Sequence, residues 1–127
     1  MRSTPDWSDK TILIVEDEEI NRFFYSTALQ VTNANLLFAK DGREGIELFQ
    51  NNNVDCILMD IRMPVLDGYE AIKRIKASNN DMPIIVQTAY ALVSDQKKAF
   101  ESGCDVYLAK PVRLNTLFSI LEKYLGS

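Results

Sequence analysis

Five polar side chains of this sequence follow short, mostly apolar runs, and their types suit phosphoryl chemistry. They are Glu16, Asp17, Asp60, Thr88 and Lys110. Carboxylates held close together repel one another, which raises a pKa unless a cation lies between them. Oxygen ligands of this kind suit Mg²⁺, which takes one or two protein carboxylates together with waters and phosphoryl oxygens. An ammonium and a hydroxyl at the same place can bind the phosphoryl group itself.

The runs that precede these residues are short enough and apolar enough to be strands buried on both faces. They are Thr11–Val15, Leu36–Ala39, Cys56–Met59, Ile84–Gln87 and Val106–Ala109. In an open α/β sheet, ligands bind beyond the carboxyl ends of the strands, at the point where the strand order reverses. We therefore expect the five polar side chains to meet in one crevice.

Segments with helical periodicity separate the runs, and the alternation predicts a single parallel sheet with helices on both faces. The first of these segments has an apolar helical face made of Ile20, Phe23, Phe24, Thr27 and Val31. Asp41 and Asp67 each stand three residues before a glutamate, which is typical of a helix start, and Ser94 is a candidate cap for the fourth helix. A last amphipathic segment, Leu114–Leu125, completes five β-α units.

Length and charge limit the alternatives. The chain has 127 residues, enough for one domain, which we expect at 11–125 after a polar tail or linker at 1–10. A net charge of −4 argues against nucleic acid as a partner. No apolar run approaches the ~20 residues of a membrane span, so we expect no direct membrane contact. Cys56 and Cys104 predict buried, reduced thiols and a cytoplasmic setting.

Four motifs of the chain closely resemble response-regulator receiver domains of two-component systems. They are Ile14-Val-Glu-Asp17, Met59-Asp-Ile-Arg-Met-Pro-Val-Leu-Asp-Gly68, Thr88-Ala89 and Tyr107-Leu-Ala-Lys-Pro111. The resemblance covers about residues 11 to 125 and implies a flavodoxin-like, doubly wound sheet of five parallel strands in the order 2-1-3-4-5. It also implies a signalling receiver rather than a classical enzyme, one that assists its own phosphorylation and dephosphorylation.

The resemblance assigns a role to each candidate site residue. Asp60 is the nucleophile that takes a phosphoryl group from phosphohistidine. Asp17, Asp60 and the backbone carbonyl of Arg62 are the direct ligands of Mg²⁺, and Glu16 acts through water. Lys110 pairs with the phosphoryl group or with Asp60, and the Lys110–Pro111 bond is expected to be cis.

The same resemblance implies a conformational switch. Thr88 binds a phosphoryl oxygen and shifts toward it, and Tyr107 turns inward as Thr88 moves. The surface of the fourth helix, fifth strand and fifth helix then changes. Arg62 and Tyr90 flank the site and are candidates for tuning the lifetime of the phosphoryl group. Gln87 puts a polar group where the resembled family more often has an apolar one, and the sequence offers no account of it.

The partner implied is a histidine kinase or a histidine phosphotransfer domain, acting in cis or in trans. These 127 residues contain no histidine, so the phosphohistidine lies outside them. Asn21, the Asp-Ile-Arg-Met-Pro form and Thr88-Ala-Tyr-Ala91 favour the receiver of a hybrid sensor histidine kinase, which can be the cytoplasmic part of a membrane-anchored sensor in a phosphorelay. A stand-alone single-domain regulator is the alternative.

Two alternatives come from other classes of protein. A haloacid-dehalogenase-type phosphatase also uses an aspartate nucleophile after a strand, but it needs a second aspartate where this chain has Arg62. A flavodoxin-type cofactor binder needs a phosphate loop rich in Ser, Thr and Gly after the first strand, where this chain has Glu16-Asp-Glu-Glu19.

Overall fold

The computed structural model describes residues 4–63, 65–89 and 92–126. These residues form an α/β domain in which strands and helices alternate along the chain. The strands are β1 (Thr11–Val15), β2 (Asn35–Ala39), β3 (Cys56–Met59), β4 (Ile84–Thr88) and β5 (Val106–Ala109). The α-helices are α1 (Glu19–Leu29), α2 (Gly42–Asn51), α3 (Gly68–Ser78), α4 (Val93–Ser102) and α5 (Leu114–Leu125), and a 3₁₀ helix, Gln30–Thr32, follows α1.

The strands form one parallel sheet in the order β2-β1-β3-β4-β5, which confirms the predicted fold class. The predicted strands agree with the observed ones, except that β2 begins one residue earlier and β4 includes Thr88. β1, β3 and β4 lie inside the sheet and are buried almost throughout, as their continuous apolar sequences require.

The apolar core has two layers, one on each face of the sheet. Residues such as Val15, Met59 and Val86 pack with α2, α3 and α4 on one face. Ile14, Leu58 and their neighbours pack with α1 and α5 on the other. Both cysteines are buried free thiols, as expected. None of the helices in the described parts of the chain is long and apolar enough to cross a membrane.

Two of the three predicted helix caps are present. The Asp41 side chain accepts a hydrogen bond from the Glu44 N–H at 2.8 Å, and Asp67 accepts one from the Glu70 N–H at 3.0 Å. The prediction for Ser94 was wrong. α4 begins at Val93, so Ser94 lies inside the helix, and the N-cap residue is Leu92, which makes no side-chain cap hydrogen bond.

The first helix corrects an expectation about its apolar face. Ile20 and Phe23 are 74% and 70% exposed, and Val31 is also exposed, whereas Tyr25 and Leu29 are the buried residues of α1. Periodicity identified which residues share a face, but not which face the sheet covers. The exposed group Ile20, Phe23 and Phe24 is called the α1 apolar surface below.

The residues before β1 pack on the domain at the amino ends of the strands. Trp7 is 1% exposed, stacks on Phe118 of α5 with ring centroids 6.1 Å apart, and donates an indole hydrogen bond to the Gly126 carbonyl at 2.7 Å. The backbone N–H of Trp7 donates a hydrogen bond to the Thr32 carbonyl at 2.7 Å. The boundary at residue 10 remains a prediction, but Trp7 is a core residue of the packed domain.

Candidate functional site

The five polar side chains predicted to meet do occupy one edge of the sheet. Glu16 and Asp60 continue the backbone hydrogen-bond ladder beyond β1 and β3, because their N–H groups donate to the Ala39 and Val15 carbonyls at 2.9 and 3.0 Å. Beyond β5, the Lys110 N–H donates to the Thr88 carbonyl at 2.7 Å. The ladder therefore fixes the backbone from which each of these side chains projects.

Lys110 joins two of the carboxylates. Its Nζ lies 2.8 Å from Glu16 Oε2 and 3.4 Å from Asp60 Oδ2. Burial lowers the pKa of Lys110, but hydrogen bonds and charge from Glu16 and Asp60 outweigh it, so the pKa is raised overall. Lys110 is therefore a cation held between two acids. The Lys110–Pro111 peptide bond is cis, as expected.

Asp60 is a buried carboxylate with too little positive charge around it. Burial and then the charge of Glu16 raise its pKa from 3.8 to about 6, while Lys110 and the Arg62 N–H, which donates to Asp60 Oδ1 at 3.1 Å, oppose the rise. A further cation near Asp60 would stabilise its ionised form. The protonation state of Asp60 thus depends on what else binds at this edge.

An acidic cluster lies beside it. Carboxylate oxygens of Glu16, Asp17 and Glu18 lie within 4.8 Å of one another. Glu16 is fully buried and is held by Asn21, whose amide donates to Glu16 Oε1 at 3.3 Å. Such a set of oxygen donors suits a hard divalent cation. Sequence reasoning named Glu16 and Asp17 but missed Glu18, although the run of four acids contained it.

The loop from β3 to α3 is packed tightly behind Asp60. A Cβ atom on Gly68 would lie 2.5 Å from the Ile61 Cα and 2.6 Å from the Asp60 carbonyl oxygen, so only glycine fits there. The Gly68 N–H donates to the Ile61 carbonyl at 3.1 Å. This contact holds the backbone on either side of Arg62, whose carbonyl was predicted to face a metal.

Arg62 also reaches the first turn of α4. Its Nη2 lies 3.4 Å from Asp95 Oδ1, and the Tyr69 hydroxyl donates to the same oxygen at 3.2 Å. A cavity of about 510 Å³ opens here, between Asp17 on one side and Asp95 and Lys98 on the other. Sequence reasoning missed Asp95, because nothing in its local pattern distinguishes it from a helix-start acid.

The two predicted switch residues lie at different depths. Thr88 is fully buried at the end of β4, and Tyr107 is half-buried on β5 against the core layer of α2, α3 and α4. Burial, followed by the charge of Asp95, raises the pKa of Tyr107. Tyr90, predicted to tune the phosphoryl lifetime, lies outside the described residues.

Gln87 is fully buried, and neither its amide nitrogen nor its amide oxygen has a hydrogen-bond partner within the part of the chain that the structure describes. By the alternation of β4, its side chain shares the face of Ile85, toward α1 and α5. The polar residue that departs from the pattern of the resembled family is therefore a fully buried amide.

A second cavity, of about 350 Å³, lies between the α1 apolar surface and the carboxylate edge. Phe24 and Tyr25 line it from α1, and Lys110, Pro111 and Val112 line it from the segment after β5. The ammonium group that binds Asp60 thus belongs to a residue that also borders an apolar, accessible surface.

Comparisons with known proteins agree with this geometry. The family model described as "Response regulator receiver domain" matches residues 12–122. The polar-differentiation response regulator DivK of Brucella anthropi is 29% identical over 119 residues, which cover 92% of this chain and 97% of that protein.

Two solved structures are also similar. The receiver domain of a sensor histidine kinase from Pseudomonas aeruginosa PAO1, with a magnesium ion coordinated in its active site cleft, is 36% identical, with a TM-score of 0.85 and coverage of 93% of this chain and 98% of that one. A response-regulator receiver domain from Saccharomyces cerevisiae, crystallised with a histidine phosphotransfer signalling protein, is 29% identical, with a TM-score of 0.85 and coverage of 98% and 92%.

Proposed function

Because the chain belongs to the response regulator receiver domain family, we propose that it accepts a phosphoryl group on Asp60 from a phosphohistidine. The observation that carries this proposal is the position of Asp60. It is a buried carboxylate beyond β3, with its pKa raised to about 6, and the Lys110 ammonium lies 3.4 Å from its Oδ2. Family membership also removes the phosphatase and flavodoxin alternatives.

In the proposed reaction, a carboxylate oxygen of Asp60 attacks phosphorus, and the bond between phosphorus and the partner's imidazole nitrogen breaks. The leaving nitrogen keeps the electron pair, and the product is an aspartyl phosphate. Such transfers depend on positioning and charge neutralisation more than on covalent chemistry by the protein. Lys110 supplies positive charge beside the acceptor, and the buried Thr88 offers a hydroxyl to a phosphoryl oxygen.

We further propose a Mg²⁺ site formed by Asp17, Asp60 and the Arg62 carbonyl, with Glu16 acting through water. The proximity of Glu16, Asp17 and Glu18 supports it and adds Glu18 as a nearby acid. The magnesium in the cleft of the P. aeruginosa receiver supports it as well. When bound, the ion supplies the positive charge that Asp60 lacks and that the transferring phosphoryl group requires.

The output proposed for this domain is a change in the surface of α4, β5 and α5. The burial of Thr88 next to Lys110, and the half-buried position of Tyr107 near Asp95, support a switch that involves both residues. An aspartyl phosphate adds negative charge and acceptor oxygens at this edge, which can bias a two-state element.

We propose that the phosphohistidine-bearing partner docks on the α1 apolar surface. Phe24 of this surface and Lys110 line the same cavity, so a partner seated there is adjacent to Asp60. The similar yeast receiver was crystallised with a histidine phosphotransfer protein. Phe23→Glu should slow transfer from a phosphorylated phosphotransfer protein of the same cell, but leave labelling by acetyl phosphate intact. Phe100→Glu, on exposed α4, is the matched control, and equal slowing by both variants would contradict this docking site.

The test of the main proposal is incubation with acetyl phosphate and Mg²⁺, followed by intact-mass measurement. We expect one labile phosphoryl adduct that requires Mg²⁺ and is absent in Asp60→Asn. Asp81→Asn removes an exposed carboxyl elsewhere and should label like the wild type. An adduct that persists in Asp60→Asn, or no adduct at any Mg²⁺ concentration, would refute the proposal.

The larger protein context is proposed as a hybrid sensor histidine kinase. The 36% identity to a sensor-kinase receiver favours it. The match to DivK favours the stand-alone alternative, because this chain covers 97% of that protein. The sequence of the full gene product decides between them. The cytoplasmic setting remains a prediction from the two thiols.

A further inference from the structure

Asp95 connects three elements around the proposed site. It lies in the first turn of α4, its Oδ1 is 3.4 Å from Arg62 Nη2 in the β3–α3 loop, and the Tyr69 hydroxyl of α3 donates to the same oxygen at 3.2 Å. Lys98, one turn further along α4, places its ammonium 4.4 Å from the centroid of the Tyr69 ring. These contacts, called the α4 latch below, hold the start of α4 against α3.

α4 begins without a side-chain cap, as α1 and α5 also do, because its N-cap residue Leu92 makes no side-chain cap hydrogen bond. The contacts of Asp95 are therefore the side-chain contacts that tie the first turn of α4 to α3 and to the β3–α3 loop.

The latch is incompletely satisfied. Asp95 Oδ1 accepts the hydrogen bonds from Arg62 and Tyr69, whereas the buried Asp95 Oδ2 has no hydrogen-bond partner among the described residues. A buried acceptor without a partner carries a desolvation cost. A more strongly binding acceptor near Arg62 can therefore replace Asp95 as its partner.

Such a partner would appear at Asp60. The Arg62 N–H already donates to Asp60 Oδ1 at 3.1 Å, and its side chain is half exposed, so the guanidinium has room to turn. A phosphoryl group carries more negative charge than a carboxylate and offers three acceptor oxygens, to which arginine binds in a bidentate manner.

We propose that the Arg62 side chain exchanges partners on phosphorylation. It gives up its ion pair with Asp95 and binds the phosphoryl group instead, and the start of α4 is thereby released from the β3–α3 loop. The idea rests on the proposed function of Asp60. It assigns Asp95 and Tyr69 as positioning residues that act through Arg62. A purely local role for Asp95, stabilising the helix N-terminus, would not involve Arg62 at all.

The test uses beryllofluoride with Mg²⁺ as a phosphoryl probe, with its apparent affinity measured by amide NMR titration. Asp95→Asn should bind the probe about twofold to fivefold more tightly than the wild type, because the ion pair that competes with activation is lost. Tyr69→Phe should shift affinity in the same direction by less. Glu70→Gln breaks an exposed ion pair with Arg74 on α3 and is the matched control, expected to bind like the wild type.

Hydrogen–deuterium exchange of the probe-free protein gives a second measurement. Amides of residues 92–101 should exchange faster in Asp95→Asn than in the wild type, and those of α3 should not. The double variant Arg62→Gln/Asp95→Asn tests the coupling. Once Arg62 is absent, the Asp95 substitution should no longer change affinity for the probe.

Two kinds of failure are distinguishable. If the wild type does not bind beryllofluoride with Mg²⁺, the proposed function fails and the exchange fails with it. If the wild type binds, but Asp95→Asn is unchanged, binds more weakly, or has the same effect with and without Arg62, only the partner exchange is overturned.

Discussion

Replacing Asp60 by asparagine should stabilise the metal-free protein at neutral pH. The raised pKa of Asp60, about 6 against an ordinary 3.8, means that folding opposes its ionised form. At about 1.4 kcal/mol for each pH unit, the full effect would be about 3 kcal/mol. The neighbouring Lys110 side chain is 17% exposed, so water reaches this pair of charges and screens it, and we expect a gain of about 1–2 kcal/mol in the free energy of unfolding.

The pH dependence gives this prediction its sign. A carboxyl group whose pKa is raised on folding binds its proton more tightly in the folded state, so its stabilising contribution is present below pH 3.8 and is lost as the pH rises through about 6. Asparagine does not titrate. The stability difference between Asp60→Asn and the wild type should therefore be small near pH 4 and reach its full value by about pH 7.

The assay is urea unfolding followed by far-ultraviolet circular dichroism, at several pH values between 4 and 8. Mg²⁺ should stabilise the wild type, since a ligand that binds only the folded state does so by mass action, and it should stabilise Asp60→Asn less. Asp81→Asn is the control for a loss of charge alone. A variant that is less stable than the wild type, or a difference that does not change with pH, would refute the reasoning.

Three further substitutions test other parts of the structure by the same unfolding assay. Trp7→Ala should lower the free energy of unfolding by about 3–5 kcal/mol, and Trp7→Phe by about 1–2 kcal/mol. Both variants lose the hydrogen bond to Gly126, but phenylalanine keeps an aromatic ring in the core. If Trp7→Ala lowered it by less than about 0.5 kcal/mol, the prediction that residues 1–10 are a tail would hold for Trp7 as well. Gly68→Ala should cost about 1–3 kcal/mol and weaken Mg²⁺ binding, because the added methyl meets the Asp60 carbonyl; unchanged binding would contradict this. Gln87→Met should raise the free energy of unfolding by about 1–2 kcal/mol, because it removes a buried amide that has no hydrogen-bond partner among the described residues. Destabilisation would show that the amide does have partners.

Local sequence patterns predicted most of the secondary structure. Short apolar runs and caps such as Asp41 and Asp67 are properties of neighbouring residues, so the bounds of the strands were predictable to within one residue. The order of the strands in the sheet was predicted from the family resemblance. The site followed from the same information, because parallel strands bring their carboxyl ends to one edge. Glu16, Asp60 and Lys110 needed no long-range knowledge beyond that.

The predictions that were wrong or missing concern contacts between segments that lie far apart in the sequence. The periodicity of α1 gave an apolar face, but burial of Tyr25 rather than Phe23 depends on how the helix lies on the sheet. Trp7 looked like part of a tail because its partners, Phe118 and Gly126, come at the other end of the sequence. Asp95 lies 33 residues from Arg62, and nothing in either neighbourhood signals the pairing.

The hydrogen bond from Trp7 to Gly126 has a consequence for how the domain can be combined with other sequences. It brings residues near both ends of the described chain to one place, at the edge of the sheet opposite Asp60. A host polypeptide would enter and leave at adjacent points, about one strand length from the chemistry, and closing such a short gap costs little chain entropy. The domain is thus suited to insertion as a module, and to circular permutation with new ends at the exposed residues Asn52 and Asn53.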